Sequence, residues 1–220
     1  MKRTLPVAAL AAASIFSFAS ANAGTIVGLV NTGLEAQGAQ DTNYKLTAAS
    51  SDTAIANNYG YVAFDNVWPI NPWLANDSVS RWITPTASQS QSFDANSAGT
   101  YTYHLDFDLT GYNAGTASFV GRFAADNAAE VKLNGVTIAN ASGFTSWNAF
   151  GANSGFHAGL NSLDFVVTNW AQNGGNPTGL RVEFSQSSIA AVPEPSTFAT
   201  LASGLAVLAL QRRRKPKRSN

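Results

Sequence analysis

The chain has 220 residues and no cysteine, and its 13 basic and 13 acidic side chains make up only 12% of the sequence. The missing cysteine excludes disulfides, thiolate nucleophiles and cysteine-ligated zinc. The length indicates one domain with appended segments, and the 13 Phe, 6 Tyr and 5 Trp residues supply enough apolar surface for a core, which excludes a disordered chain.

Charge is distributed unevenly along the chain. Eight of the 13 basic residues lie at the two ends, whereas the span from Gly24 to Val192 holds five basic and twelve acidic residues, a formal charge of −7. An acidic body repels phosphate backbones, so we expect no binding of nucleic acid. The surplus of carboxylates is compatible with a solvated surface or a cation site.

Residues 1–23 predict a secretory signal peptide. Lys2 and Arg3 form a positive start, an apolar run extends from Leu5 to Phe18, and Ala21-Asn22-Ala23 is a small-x-small cleavage site. An ordinary buried helix is the alternative, but it would not need these three features in this order. Cleavage would leave Gly24 as the first residue of an exported body.

Short apolar stretches separated by Gly, Asn, Asp and Pro follow, which is typical of strands and turns. We expect a first strand from Gly24 to Val30. The Trp- and Pro-rich stretch between Asn66 and Pro85 predicts an ordered loop with a short strand at Ser80 to Thr84. The clearest strand runs from Tyr101 to Leu109, because apolar and polar side chains alternate there without interruption.

A hairpin is predicted at Asn134-Gly135, since both residue types accept the positive φ that a two-residue turn requires. It joins Glu130–Leu133 to a strand that begins at Val136. Further strands are expected at 117–123, 163–168 and 180–184. Several short strands with turns between them predict an all-β domain over residues 24–190, a β-sandwich or jelly roll.

The segment from Arg122 to Gly135 resembles the strand, Asp-Asn, strand, Asn-Gly hairpin of galactose-binding-like jelly rolls. Gly159–Phe165 and Asn176–Val182 fit the same module, so the resemblance covers roughly residues 101–184. It implies a jelly-roll fold of the kind that accompanies carbohydrate-active enzymes. It also implies that a structural calcium can be bound, although no calcium ligand is assigned and no other cofactor is expected.

Sugar binding needs an aromatic platform with amides or carboxylates beside it. The candidate ligand-binding residues are therefore the loop tryptophans and one neighbouring amide: Trp68, Trp73, Trp147 and Asn148. The alternative for each tryptophan is a place in the core of the sandwich.

Catalysis is not expected. The chain has two histidines, His104 and His157, but no Gly-x-Ser-x-Gly nucleophile elbow that could form a catalytic triad with either of them. Asp106 and Asp108 share one strand face, where a pair of carboxylates could hydrolyse a glycoside. No apolar pocket that would raise the pKa of either one is evident around them, so a solvated strand face is the preferred interpretation.

The C-terminal residues 191–220 predict a sorting tail. Pro193-Glu194-Pro195 precedes an apolar helix at about 198–210, and Arg212-Arg213-Arg214 follows it as a membrane stop. This order resembles the PEP-CTERM sorting signal of Gram-negative bacteria. The resemblance implies an exosortase as processing partner, transient insertion in the inner membrane, and a host that makes exopolysaccharide.

These features together predict an exported surface or extracellular-matrix protein, non-enzymatic and associated with exopolysaccharide or biofilm. The membrane-anchored precursor would be processed and then placed at the cell surface or in the matrix. A carbohydrate-binding module with a defined sugar pocket is the first alternative. A glycan-active enzyme is the second, and a purely structural role without ligand is a third.

Overall fold

A computed structural model describes residues 23–50 and 58–192, together with residues 204, 205 and 208. Within these ranges the chain forms nine strands. Every pairing between two of these strands is antiparallel. The strands are β1 (Ala23–Gly24), β2 (Gln40–Ala49), β3 (Asn58–Val62), β4 (Ile83–Thr84), β5 (Gly99–Asp108), β6 (Tyr112–Leu133), β7 (Val136–Ala152), β8 (Leu160–Asn169) and β9 (Gly179–Ala191).

The strands form one sheet in the order β1-β9-β4-β3-β2-β5-β8-β6-β7, and β6 pairs with β9 as well as with β8. This additional pairing closes the sheet on itself and encloses a core between its walls. The predicted all-β class, a sandwich or jelly roll, is confirmed.

Alternating side chains place the core inside this closed sheet. Along β5 the residues Tyr101, Tyr103, Leu105 and Phe107 are buried, as their alternation predicted. Phenylalanines from other strands pack edge to face. Phe150 packs in this way on Phe123, and five further edge-to-face pairs form among the neighbouring phenylalanines. The aromatic residues therefore fill the interior, as their number indicated.

The first predicted strand is wrong in extent. Only Ala23 and Gly24 form β1, which pairs with Ala190 and Ile189 of β9. At Gly28 the backbone has a φ of +95°, and a Cβ there would lie 2.9 Å from the Cβ of Phe107. The chain therefore turns against β5, in a conformation that favours glycine, and cannot continue as a strand.

The middle of the chain forms longer strands than the sequence predicted. Residues 117–123 and 130–133 were expected as separate strands but belong to one 22-residue strand, β6. Its partner changes from β9 to β8 near Asp126. The predicted turn is confirmed, with φ of +50° at Asn134 and +81° at Gly135. β7 then continues to Ala152, through residues expected in a loop.

A second apolar cluster lies on the outer face of the sheet. Ile70, Trp73 and Trp82 of the Trp- and Pro-rich loop pack there on Ala63 and on Ala124 of β6. The burial of Ala124 between two residues of the main core shows that this cluster lies on the opposite face of β6. The loop is thus ordered as predicted, and its short strand is β4.

The described residues 23–50 and 58–192 belong to one compact unit. At its last described residue, Val192, the backbone N–H donates to the carbonyl of Gly111 at 3.0 Å. Pro193, Glu194, Pro195 and the arginines 212–214 lie outside the described residues, as do residues 1–22. In the part of the chain that the structure describes, no helix is both long and apolar enough to cross a membrane.

Candidate functional site

The tryptophans gather where Asp126 of β6 pairs with Gly179 of β9, which we call the loop end. The Trp73 indole contacts both of these residues, and the backbone N–H of Trp170 donates to the Asn127 side chain at 2.6 Å. The sequence identified the candidate tryptophans but did not predict which of them are buried. The structure divides them into buried, half-buried and exposed positions.

Trp73 lies in the interior and cannot act as a surface platform. It is 2% exposed and its ring centroid lies 4.3 Å from that of Trp82. A Cβ at position 179 would lie 2.7 Å from the Trp73 ring, so Gly179 allows the loop to seat this indole against the sheet. The binding role expected for Trp73 is therefore wrong, because the loop folds inward over Ala124.

Asp126 is a buried acid that sequence reasoning passed over. It is 6% exposed, and one carboxylate oxygen accepts a hydrogen bond from the Trp73 indole at 2.8 Å. Burial raises its pKa from 3.8 to about 6, although the hydrogen bond opposes the shift. The available signal was a single carboxylate within an otherwise apolar, alanine-rich stretch of β6.

Arg181 of β9 ties the Trp- and Pro-rich loop to the sheet. It is 1% exposed, and its guanidinium donates to the Ser80 hydroxyl at 2.6 Å and to the Ala75 carbonyl. It also forms ion pairs with Asp77 at 2.9 Å and with Glu183 at 3.4 Å. Each of its three guanidinium nitrogens thus has a partner, which is what a buried cation requires.

Trp147 lies on β7 beside this charged cluster. The guanidinium carbons of Arg122 and Arg181 lie 4.4 and 4.8 Å from its ring centroid. Arg122 in turn forms an ion pair with Glu183 at 2.6 Å. Asn148 is half-buried and donates to the Ser142 carbonyl at 3.4 Å. The indole of Trp147 therefore already has cation–π partners within the protein.

Trp68 is the exposed candidate. It lies on the segment Phe64–Trp68, which we call the aromatic turn. Trp68 is 44% exposed, and Phe64 and Val67 are exposed beside it. Asp65, which follows Phe64 in the chain, accepts a hydrogen bond from the Gln37 side chain at 2.7 Å, and the Phe64 ring lies against Gly38.

One buried amide holds the aromatic turn in shape. The side chain of Gln89 accepts from the Phe64 backbone N–H at 2.6 Å. It donates to the carbonyls of Val67 at 2.9 Å and of Trp68 at 3.3 Å. Because Gln89 is itself buried, these bonds are shielded from competing water. The turn is thus preorganised, with its apolar side chains directed outward.

His104 lies on the outer face of β5 between two carboxylates. Its Nδ1 is 2.6 Å from Asp164 and its Nε2 is 2.9 Å from Asp106. Partial burial opposes protonation, but the hydrogen bond and charge of Asp164, together with Asp106, outweigh it and raise the pKa of His104. Both ring nitrogens therefore face carboxylate oxygens, an arrangement that favours the imidazolium form, in which both nitrogens donate.

Neither of the carboxylates considered for glycoside hydrolysis has the environment of a general acid. Asp106 is engaged by His104, and Asp108 is fully exposed, where hydrogen bonds from Thr110 lower its pKa. In residues 23–50 and 58–192, no group of three or more His, Asp or Glu side chains could hold a metal ion. A calcium bound mainly through carbonyl oxygens is not tested by this observation.

Residues 191–215 match the PEP-CTERM protein-sorting motif. This match implies an exported precursor that an exosortase sorts. No curated protein sequence matches the chain.

Solved structures resemble the body weakly. A family 35 carbohydrate-binding module from an environmental isolate has a TM-score of 0.32 and 12% identity, over 70% of this chain and 97% of that one. A PA14 sugar-binding domain from an RTX adhesin has a TM-score of 0.27 and 14% identity, over 69% and 96%. A beta-glucosidase from Kluyveromyces marxianus has a TM-score of 0.35 and 11% identity, over 81% and 21%. The chain thus carries a PEP-CTERM sorting motif directly after an all-β body.

Proposed function

We propose that this protein is an exported, non-enzymatic surface or matrix protein that contacts exopolysaccharide through its aromatic turn. The sorting motif at residues 191–215 supports export and processing by an exosortase. In this proposal the all-β body contacts the polysaccharide, and the C-terminal tail is the sorting signal.

The observation that carries this proposal is the exposed, preorganised Trp68. Sugar rings present apolar C–H faces that pack on aromatic side chains, while their hydroxyls bond to amides and carboxylates. The aromatic turn offers exposed aromatic side chains and the carboxylate of Asp65, to which the Gln37 amide donates. Because Gln89 holds the turn, binding does not have to order it, which lowers the entropic cost of association.

The proposal is tested with the full chain in mild detergent and with immobilised exopolysaccharide of the host, dextran and a β-1,3-glucan. Trp68→Ala should lower affinity by about tenfold, the loss expected for an aromatic anchor. Trp170→Ala is the matched control, since Trp170 is also an exposed tryptophan near the loop end. A chelator arm tests for the structural calcium. Equal affinity of the wild type and Trp68→Ala would refute a contact through the aromatic turn.

A further inference from the structure

Within residues 23–50 and 58–192, nothing covers one half of the outer face of β9, β6 and β7. The Trp- and Pro-rich loop covers Ala124, but Val120, four residues earlier on the same face of β6, is 46% exposed. Between these two levels Arg122 pairs with Glu183 and forms a boundary. Beyond that boundary lies an open groove of about 760 Å³.

The groove is built from small and uncharged residues. Val120 lies on its floor, and Gly151 and Ala152 leave space beside it. A Cβ at position 151 would lie 2.7 Å from the Phe119 carbonyl, so a larger residue would not fit without movement of β6 or β7. Among the residues that the structure describes, none that lines the groove is charged, although the body as a whole is acidic.

Polar side chains in the groove are available to a ligand. Within the described residues, none of the following side chains makes a hydrogen bond to the protein: Thr25, Ser118, Asn153, Gln186 and Ser188. Hydroxyls and amides both donate and accept, so they match the hydroxyls of a sugar. The exposed face of Val120 supplies an apolar contact for the ring.

The strand pairing limits what can occupy this groove. Val120 is paired with Gly151 of β7 on one side and with Gln186 of β9 on the other. The backbone groups of β6 are thus already used by two neighbours, so a peptide cannot add to it as a further strand. An acidic polymer is disfavoured by the formal charge of −7 of the body.

We propose that the groove binds a neutral polysaccharide strand, as a second site separate from the aromatic turn. It is lined by β6, β7 and β9 around Val120, whereas the aromatic turn follows β3 and is held by Gln89. Two sites on one body allow a single protein molecule to hold two chains, or two points of one chain. Each weak contact then raises the effective concentration for the other.

The test uses the full chain in mild detergent, carrying Trp68→Ala, so that residual binding reports the groove alone. Dextran and a β-1,3-glucan are the neutral probes, and alginate is the acidic probe. Val120→Glu should weaken residual binding to a neutral probe by about tenfold, because it places a charge on the groove floor. Val136→Glu is the matched control at another exposed strand valine and should leave binding unchanged.

Ser188→Trp, which fills the groove without adding charge, repeats the test if Val120→Glu does not fold, as judged by its thermal transition. Equal residual binding in the groove variant and in Val136→Glu overturns the proposal. So does the absence of residual binding to both neutral probes, or a preference for alginate. The aromatic turn is judged separately, from the wild type against Trp68→Ala, so either site can fail alone.

Discussion

The burial of Asp126 predicts an unusual dependence of stability on pH. The group has a folded pKa of about 6 against an ordinary value of 3.8. Because the folded state holds this proton more tightly, the free energy of unfolding falls as pH rises from about 3.8 to about 6. A shift of about two pKa units corresponds to about 3 kcal/mol, at 1.36 kcal/mol for each unit.

Asp126→Asn isolates this contribution. The amide oxygen of asparagine can accept the same hydrogen bond from the Trp73 indole but carries no charge at any pH. The variant and the wild type should be about equally stable near pH 4, and the variant should be more stable by about 3 kcal/mol above pH 7. Urea unfolding of the full chain in mild detergent, followed by tryptophan fluorescence from pH 4 to 8, measures both.

The control is Asp108→Asn, which removes a fully exposed carboxylate whose pKa is lowered. It should not produce a gap that widens in favour of the variant as pH rises. If the difference between Asp126→Asn and the wild type stays constant from pH 4 to 8, the carboxylate does not retain its proton through burial. The reasoning about this site would then be wrong.

Three further predictions concern the loop end and the sheet face. Arg181→Met should lower the free energy of unfolding by about 3–5 kcal/mol, because it removes the buried cation that pairs with Glu183 and donates to the Ala75 carbonyl and the Ser80 hydroxyl. The half-exposed Arg122→Met should cost less, and urea unfolding compares the two variants. Gln89→Leu should weaken glucan binding although Trp68 is retained, since the aromatic turn loses its hydrogen bonds; unchanged affinity would refute preorganisation. An NMR titration should give His104 a pKa above 6.5. The stability that its carboxylate contacts provide should be complete below pH 6.5 and lost as pH rises through the pKa of His104 in the folded state. His104→Gln should remove this pH-dependent loss of stability.

Charged side chains at the loop end act on shape rather than on chemistry. Arg181 joins Ala75, Asp77 and Ser80 of the loop to β9, and Glu183 joins the same network to Arg122. The network keeps the loop closed over Ala124, and the aromatic turn overlaps with the start of this loop, which includes Trp68. Changes in this network should therefore alter binding indirectly, through the position of Trp68.

Patterns of adjacent residues predicted much of the architecture. Strict alternation from Tyr101 to Leu109 identified β5, and Asn134-Gly135 identified the hairpin between β6 and β7. β2 and β3 were not predicted, because their inward positions include a polar residue, Asp41 of β2, and a glycine, Gly60 of β3, which weaken the apolar alternation. The length of β6 was not predicted either, since its continuity depends on partners more than 30 residues away in the sequence.

The sequence by itself determined the sorting motif and the class of fold. The sorting motif is a linear pattern, so its identity does not depend on how the body folds, and strand alternation follows from local geometry. Only the tertiary structure decided which of the two loop tryptophans, Trp68 or Trp73, faces solvent. Trp68 and Trp73 lie five residues apart in similar surroundings, yet one is exposed and the other is seated on Gly179, because burial depends on which distant residues the loop folds against. The groove has the same origin, since β7 and β9 flank Val120 only after strands distant in sequence have paired.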